Sequence, residues 1–330
     1  MKKQERIGYI DFLKAIALTC IVIAHTDPPA FLHMIRNFDV PLMVILSSIL
    51  TKQSYINHGE LNASFYLSRL KRLLIPTWIF LSIYFLFEYL LKGEAHSFSY
   101  YILSFCLTRY GVGYVWIILI YIYSMLLIPF FCKYNNSGKT GIIIVIVYLI
   151  YEVLCFYKVN TYSRFLETTA FYLIPYGLLT YLGFLYTGLE RNKKASIIFI
   201  SFLIFFLSAF YFYKTSGGSF QNVQIAKYPP RFYYLSYGIF CSYSLLSLCE
   251  RKEFSIYKNK IILFISMHSL WIYLWHVFFL MLCKHFKIFE QWYARTIVIY
   301  SLSIVTVFLI NKVFERIEKI FKIHIPYYLR

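Results

Sequence analysis

Apolar residues run along this chain in blocks long enough to cross a lipid bilayer, separated by short stretches where Lys, Arg, Asn, Ser and Gly collect. A bilayer core asks for about 20 apolar residues in an α-helix. The pattern predicts ten such helices, over about 9–26, 38–51, 73–91, 114–132, 141–157, 170–187, 195–213, 231–249, 265–283 and 294–313. The second is short and starts near Pro41. The stretch 97–107 is apolar but too short to span, and is expected as a re-entrant or interfacial piece. The fold class expected is therefore all-α: a polytopic transmembrane bundle of about ten spans, forming one integral-membrane domain over 1–330. No connection is long enough to separate two domains, and no internal repeat of the inverted-repeat transporter kind is visible.

Composition supports this and removes rivals. Only 15% of the 330 residues are charged, too few to cover a soluble domain of this size. The net charge of +18 would suit nucleic-acid binding, but the Lys and Arg residues lie between apolar runs instead of lining one face. No nucleic-acid partner is expected; membrane lipids are. The basic residues favour alternate connections, including Lys2, Lys3 and Arg6, then Arg69, Lys71 and Arg72, then Arg251, Lys252, Lys258 and Lys260. By the positive-inside rule these are cytoplasmic, and an even number of spans puts both termini there. The first apolar run carries Asp11 and Lys14 and lacks a small-residue cleavage site, so it reads as a retained span. The seven Cys residues lie in or beside apolar runs with no metal-type spacing and read as small buried hydrophobes; no metal site is expected.

Chemistry is then sought among ionisable side chains inside the spans, where each costs several kcal/mol unless it faces a partner or a cavity. These are Asp11, Lys14, His25, Asp39, Glu88, Glu152, His268 and His276. Asp11 and Lys14 are three apart and can pair. Lys14 and His25 are eleven apart, close to three full turns, so they share a face, roughly 16 Å apart along the axis. One stripe of the first helix thus offers a cation at its inner end and an imidazole at its outer end, which favours a polar cavity over isolated interfacial side chains. A carboxylate beside His25 would orient it. Asp39, Glu88 and Glu152 all lie toward the outer side, and any of the three could partner His25; Glu152 reads more readily as interfacial. His276, in an apolar run, reads as a structural histidine bonded to a neighbouring helix. Arg69, Lys71 and Arg72, followed by Pro76, form either a lipid-headgroup anchor or a phosphate clamp.

Taken together, these residues resemble the acyltransferase-3 family of bacterial integral-membrane O-acyltransferases. Tyr9 to Ala17, continuing to His25, is similar to that family's opening motif. Asp39-Val40-Pro41-Leu42-Met43 to Ser47-Ser48 resembles the second, Arg69 to Pro76 the basic start of the third span, Trp116 with Pro129 the fourth-span pattern, and Ile272 to His276 the late motif. Two positions depart: Lys14 stands where Arg is usual, and Ser48 where Gly is usual. Lys supplies charge but no bidentate fork.

The resemblance implies an O-acyltransferase with no tightly bound cofactor. Its donor would be cytoplasmic acyl-CoA, most simply acetyl-CoA, with Lys14, Arg69 and Arg72 contacting it. His25 would be the general base, with Asp39 beside it. The acceptor would be a hydroxyl of a cell-surface or lipid-linked polysaccharide sugar, at a bacterial cytoplasmic membrane. Asp11, Glu88, Trp116 and His276 complete the candidate set. The competing reading is a transporter or flippase for an envelope glycan precursor or a small polar solute, with the intramembrane charges marking its path.

Overall fold

The computed structural model describes residues 7–58, 63–135, 138–159, 163–251 and 254–329. The helices, in order, are α1 (Gly8–Ala24), α2 (Ala30–Ile35), α3 (Asp39–His58), α4 (Ala63–Lys92), α5 (Phe98–Phe105), α6 (Trp116–Tyr134), α7 (Lys139–Phe156), α8 (Arg164–Thr168), α9 (Ala170–Tyr186), α10 (Arg191–Thr215), α11 (Phe232–Glu250), α12 (Lys260–Met267), α13 (Ser269–His285) and α14 (Trp292–Phe321). The all-α expectation holds among the described residues. Every predicted span falls on a helix except that over 265–283, which crosses the break between α12 and α13, and the count of about ten does not hold. Among the described residues, seven helical stretches are long and apolar enough to cross a membrane, and α12 with α13, bent by 80°, makes at most an eighth. The other two are α1, which has only 17 residues, and α11, whose apolar run is interrupted by Ser236, Ser242, Ser244 and Ser247.

Boundaries also moved. The third predicted span begins ten residues earlier, as the start of α4 at Ala63, so Arg69, Lys71 and Arg72 are on the helix instead of preceding it. Apolar and polar residues alternate there at helical spacing, which lets the membrane helix extend past its apolar run. The second is longer than predicted: α3 reaches His58, and Ala30–Asn57 forms one apolar stretch with α2. The piece expected over 97–107 is the eight-residue α5, too short to span.

The inner elements are α1 and α3. α1 packs on α3, α11, α12, α13 and α14, and α3 on α1, α6, α9 and α11. At the edge, α10 buries only Ser201 and exposes Phe199, Leu203, Phe206 and Phe210, as a lipid-facing helix should.

Small side chains set how closely the inner helices approach. Ser48 stands where the related motif has glycine, and its Oγ donates to the Thr180 carbonyl of α9 at 2.6 Å. Thr180 Oγ1 in turn meets Ser124 Oγ of α6 at 2.7 Å. The close contact is supplied from the other helix, by Gly183. A Cβ there would lie 2.6 Å from the Ile45 carbonyl oxygen and 2.7 Å from Ser48 Cβ. Neither atom can swing away. Gly183→Ala is expected to destabilise the protein by roughly 1–3 kcal/mol, read as a lower Tm in detergent.

Candidate active site

The 80° break between α12 and α13 shapes one end of the site. Asn259 caps α12 at its start through the Ile261 and Ile262 amides, and the helix stops at Met267. The Ser266 carbonyl near its end accepts from Lys14 Nζ at 2.8 Å, and the Ser266 hydroxyl donates to Asp11 Oδ1. Asp11 and Lys14 thus converge on one residue of a neighbouring helix.

Both line a cavity of about 470 Å³, with Arg69 and Arg72 of α4, Ser54 of α3 and Tyr121 of α6. Arg69 and Arg72 are three apart and so share a face. Arg69 also reaches Thr51 Oγ1 at 3.3 Å and stacks over Phe65. Lys71 is exposed and does not line the cavity. The α1 wall is Ile7, Ile10, Asp11, Lys14, Leu18 and Ile21, one helical stripe, and His25 is the next residue of that stripe. The opposite wall ends at Tyr273.

His25 meets His276 of α13, Nδ1 to Nε2 at 2.9 Å, with the rings 10° from parallel. His276 Nδ1 bonds the Tyr273 carbonyl. A carbonyl only accepts, so His276 Nδ1 carries a proton. With both rings neutral, His276 Nε2 is then the acceptor, His25 Nδ1 the donor, and His25 Nε2 keeps a free lone pair. Tyr114 meets the His25 ring edge-on at 4.9 Å, and the Tyr273 hydroxyl donates to the Tyr114 carbonyl. Tyr114 also lines a second cavity of about 280 Å³ beyond the histidines, with Tyr84, Glu88, Val277, Leu280 and Lys284.

The expected carboxylates are engaged elsewhere. Asp39 pairs with Arg36 at 3.0 Å and accepts from the Val40 amide at 2.7 Å, both charges being buried. Glu88 bonds Lys92 at 2.6 Å and His96 at 2.9 Å. Glu152 is not interfacial: it is buried, pairs with Arg231, and accepts from Tyr148 and from the Phe232 amide at the start of α11. His276, read from sequence as a structural histidine, is the ring that holds His25. Trp116 lies outside the large cavity, packed on Tyr172, Tyr176 and Tyr228.

Sequence reasoning missed three residues, at the two ends of the site. Arg36 was legible as the i−3 partner of Asp39. Ser266 offered no signal, because its carbonyl and hydroxyl are placed by the break after α12, which no local pattern marks. Lys227, beside Tyr228-Pro229-Pro230, reads as a solvated loop residue but is only 5% exposed. Burial pushes its ammonium down to about 8, with Asp39 opposing and Arg36 adding to the fall.

The acyltransferase-3 model, described as an acyltransferase domain, matches residues 7–312, nearly the whole chain. No curated protein and no solved structure matches it.

Replacing one member of the histidine pair orphans the other. His276→Leu is expected to cost about 1–3 kcal/mol by thermal unfolding. His25→Leu/His276→Leu, which removes both polar partners, should recover most of that loss.

Proposed function

We propose, for a chain that belongs to the acyltransferase-3 family and is a multi-pass membrane O-acyltransferase, that it moves a short acyl group from acyl-CoA to a sugar hydroxyl with His25 as general base. The donor occupies the 470 Å³ cavity. Its phosphates meet Arg69, Arg72 and Lys14, and its pantetheine arm follows the α1 stripe toward His25. The roughly 16 Å between Lys14 and His25 along the helix suits an extended arm. Ile21, Tyr121 and Tyr273 line the part of the cavity toward His25, where the acyl group would lie. Because the donor is cytoplasmic, the Arg69 end faces the cytoplasm. The acceptor, a lipid-linked or cell-surface glycan, then approaches from the opposite face of a bacterial cytoplasmic membrane.

In the reaction His25 Nε2 takes the acceptor hydroxyl proton as the oxygen attacks the thioester carbonyl. The new C–O ester bond forms, the C–S bond breaks, and the proton leaves with CoA as the free thiol. His276 acts through His25, fixing its tautomer and orientation in the role first sought for Asp39. The observation that carries this reading is the 2.9 Å His25–His276 bond on the stripe that also bears Lys14.

Transfer from radiolabelled acetyl-CoA by protein in nanodiscs, with cell-envelope glycan as acceptor, tests it. His25→Ala is expected to lower kcat by about 10²–10⁴-fold. His276→Leu should lower it at least about tenfold, and His276→Gln less, because the amide oxygen still accepts from Nδ1–H. Arg69→Ala with Arg72→Ala should raise KM for acetyl-CoA about tenfold with little change in kcat. Protein that neither binds nor consumes acetyl-CoA sinks the assignment of donor.

A further inference from the structure

Lys227 is a buried charge, among those acting on His25, whose surroundings do not account for it. It sits in the connection between α10 and α11, at the end of the bundle opposite Arg69. That connection is tied to the segment after His25 by Arg36–Gln224 at 2.9 Å and Asn37–Asn222 at 3.2 Å. Lys227 is buried, yet no carboxylate among the described residues pairs with it within 4 Å. The nearby carboxylate, Asp39, is already held by Arg36. The ammonium faces three rings, Trp116, Tyr228 and Tyr234, with centroids 5.9, 5.5 and 5.8 Å away. These are at the outer limit of useful cation–π attraction and do not replace lost hydration.

The groups around it are short of partners too. Arg36 Nε and the hydroxyl of Tyr234 are buried without hydrogen-bond partners among the described residues. Buried polar atoms left open in this way call for an explanation. Here one explanation serves all of them: a ligand that brings negative charge and oxygen atoms. Lys227 and Arg36 are both among the charges whose field reaches His25, so such a ligand would lie on the His25 side of the bundle.

We propose that Lys227 and the aromatic side chains around it form the acceptor subsite, and that the acceptor sugar carries a carboxylate or a phosphate beside the hydroxyl that is acylated. This rests on the acyltransfer reading above and names the substrate class of the same site. Trp116, Tyr228 and Tyr234 surround the ammonium, and Lys227 supplies the counter-charge to the anionic group of the acceptor. Because Lys227 loses its proton near pH 8, the preference for an anionic acceptor is present below that pH and fades above it. The titratable and charged groups around Lys227 are Asp39 and Arg36 from the α3 side, His25 at the end of α1, His33 of α2, Tyr234 of α11 and Tyr228 of its own loop, with the Trp116 ring of α6 beside them. Of these, Tyr228 is pushed up to about 12 by burial and stays neutral through this range.

Three soluble probes test the proposal: glucuronic acid, glucose 1-phosphate and methyl glucoside. With acetyl-CoA as donor, wild-type protein should use at least one anionic probe about tenfold more efficiently, in kcat/KM, than methyl glucoside. Lys227→Met should collapse that ratio toward one, whereas Lys227→Arg should keep it and remove its decline above pH 8. Whether the carboxylate or the phosphate is preferred identifies the group. Binding of the same probes to His25→Ala protein, read by thermal shift, gives an answer without turnover. There too the anionic probe should bind more tightly, and Lys227→Met should abolish the difference. Equal binding of all three probes overturns the proposal. So does a Lys227→Met protein that loses thermal stability and all activities together, because Lys227 would then be structural. Failure to bind or consume acetyl-CoA instead strikes the donor assignment, and the probe-binding comparison still decides this one.

Discussion

A cation inside a membrane protein must find oxygen within the protein, and Lys14 finds it where α12 breaks away from α13. A continuous helix would have committed the Ser266 carbonyl to its own ladder. The 80° turn leaves it for Lys14, while the Ser266 hydroxyl serves Asp11. The same turn sets the direction of α13, and with it the position of His276 against His25. One irregular joint therefore shapes both the charged end of the large cavity and the histidine pair beyond it.

The remaining buried charges follow the same rule of local satisfaction. Glu152 holds Arg231 and the first amide of α11, fixing where that helix starts. Asp39 holds Arg36 and the first turn of α3. Glu88 gathers Lys92 and His96 at the end of α4. Each carboxylate that resembled a partner for His25 is used to fasten a helix end. A histidine then does what a carboxylate does in many active sites. It holds the His25 ring by hydrogen bonding without adding a buried negative charge, whose desolvation would be costly so deep in the bundle.

Close packing and chemistry are linked through small residues. Gly183, Ser48, Thr180 and Ser124 let α3, α6 and α9 approach closely. This brings Tyr121 and Ser54 to the wall of the same cavity as α1. The replacement of glycine by Ser48 did not open the interface, because the missing space is made on the facing helix and the serine hydroxyl finds a carbonyl there.

Much of the architecture is legible in the linear pattern, because membrane solvation acts on each helix separately: about 20 apolar residues are needed whatever their neighbours are. The stripe Asp11, Lys14, His25 was legible for a similar reason, since helical periodicity fixes which residues of one element share a face. The exact number of spans was not, because α1 falls short in length and α11 in apolarity, and both are carried by the bundle. Nor was the partner of His25. His276 is 251 residues away, on a helix whose direction depends on the break before it. Lys227 shows the limit most plainly. A lysine beside two prolines has every local mark of a solvated loop, and only the packing of that loop under Trp116 and against Arg36 takes the charge out of water. Periodicity within one helix was determined by the sequence alone. Which helices meet, and which charges are left unpaired when they do, was decided by the tertiary structure, because desolvation depends on everything that surrounds a group and not on its neighbours along the chain.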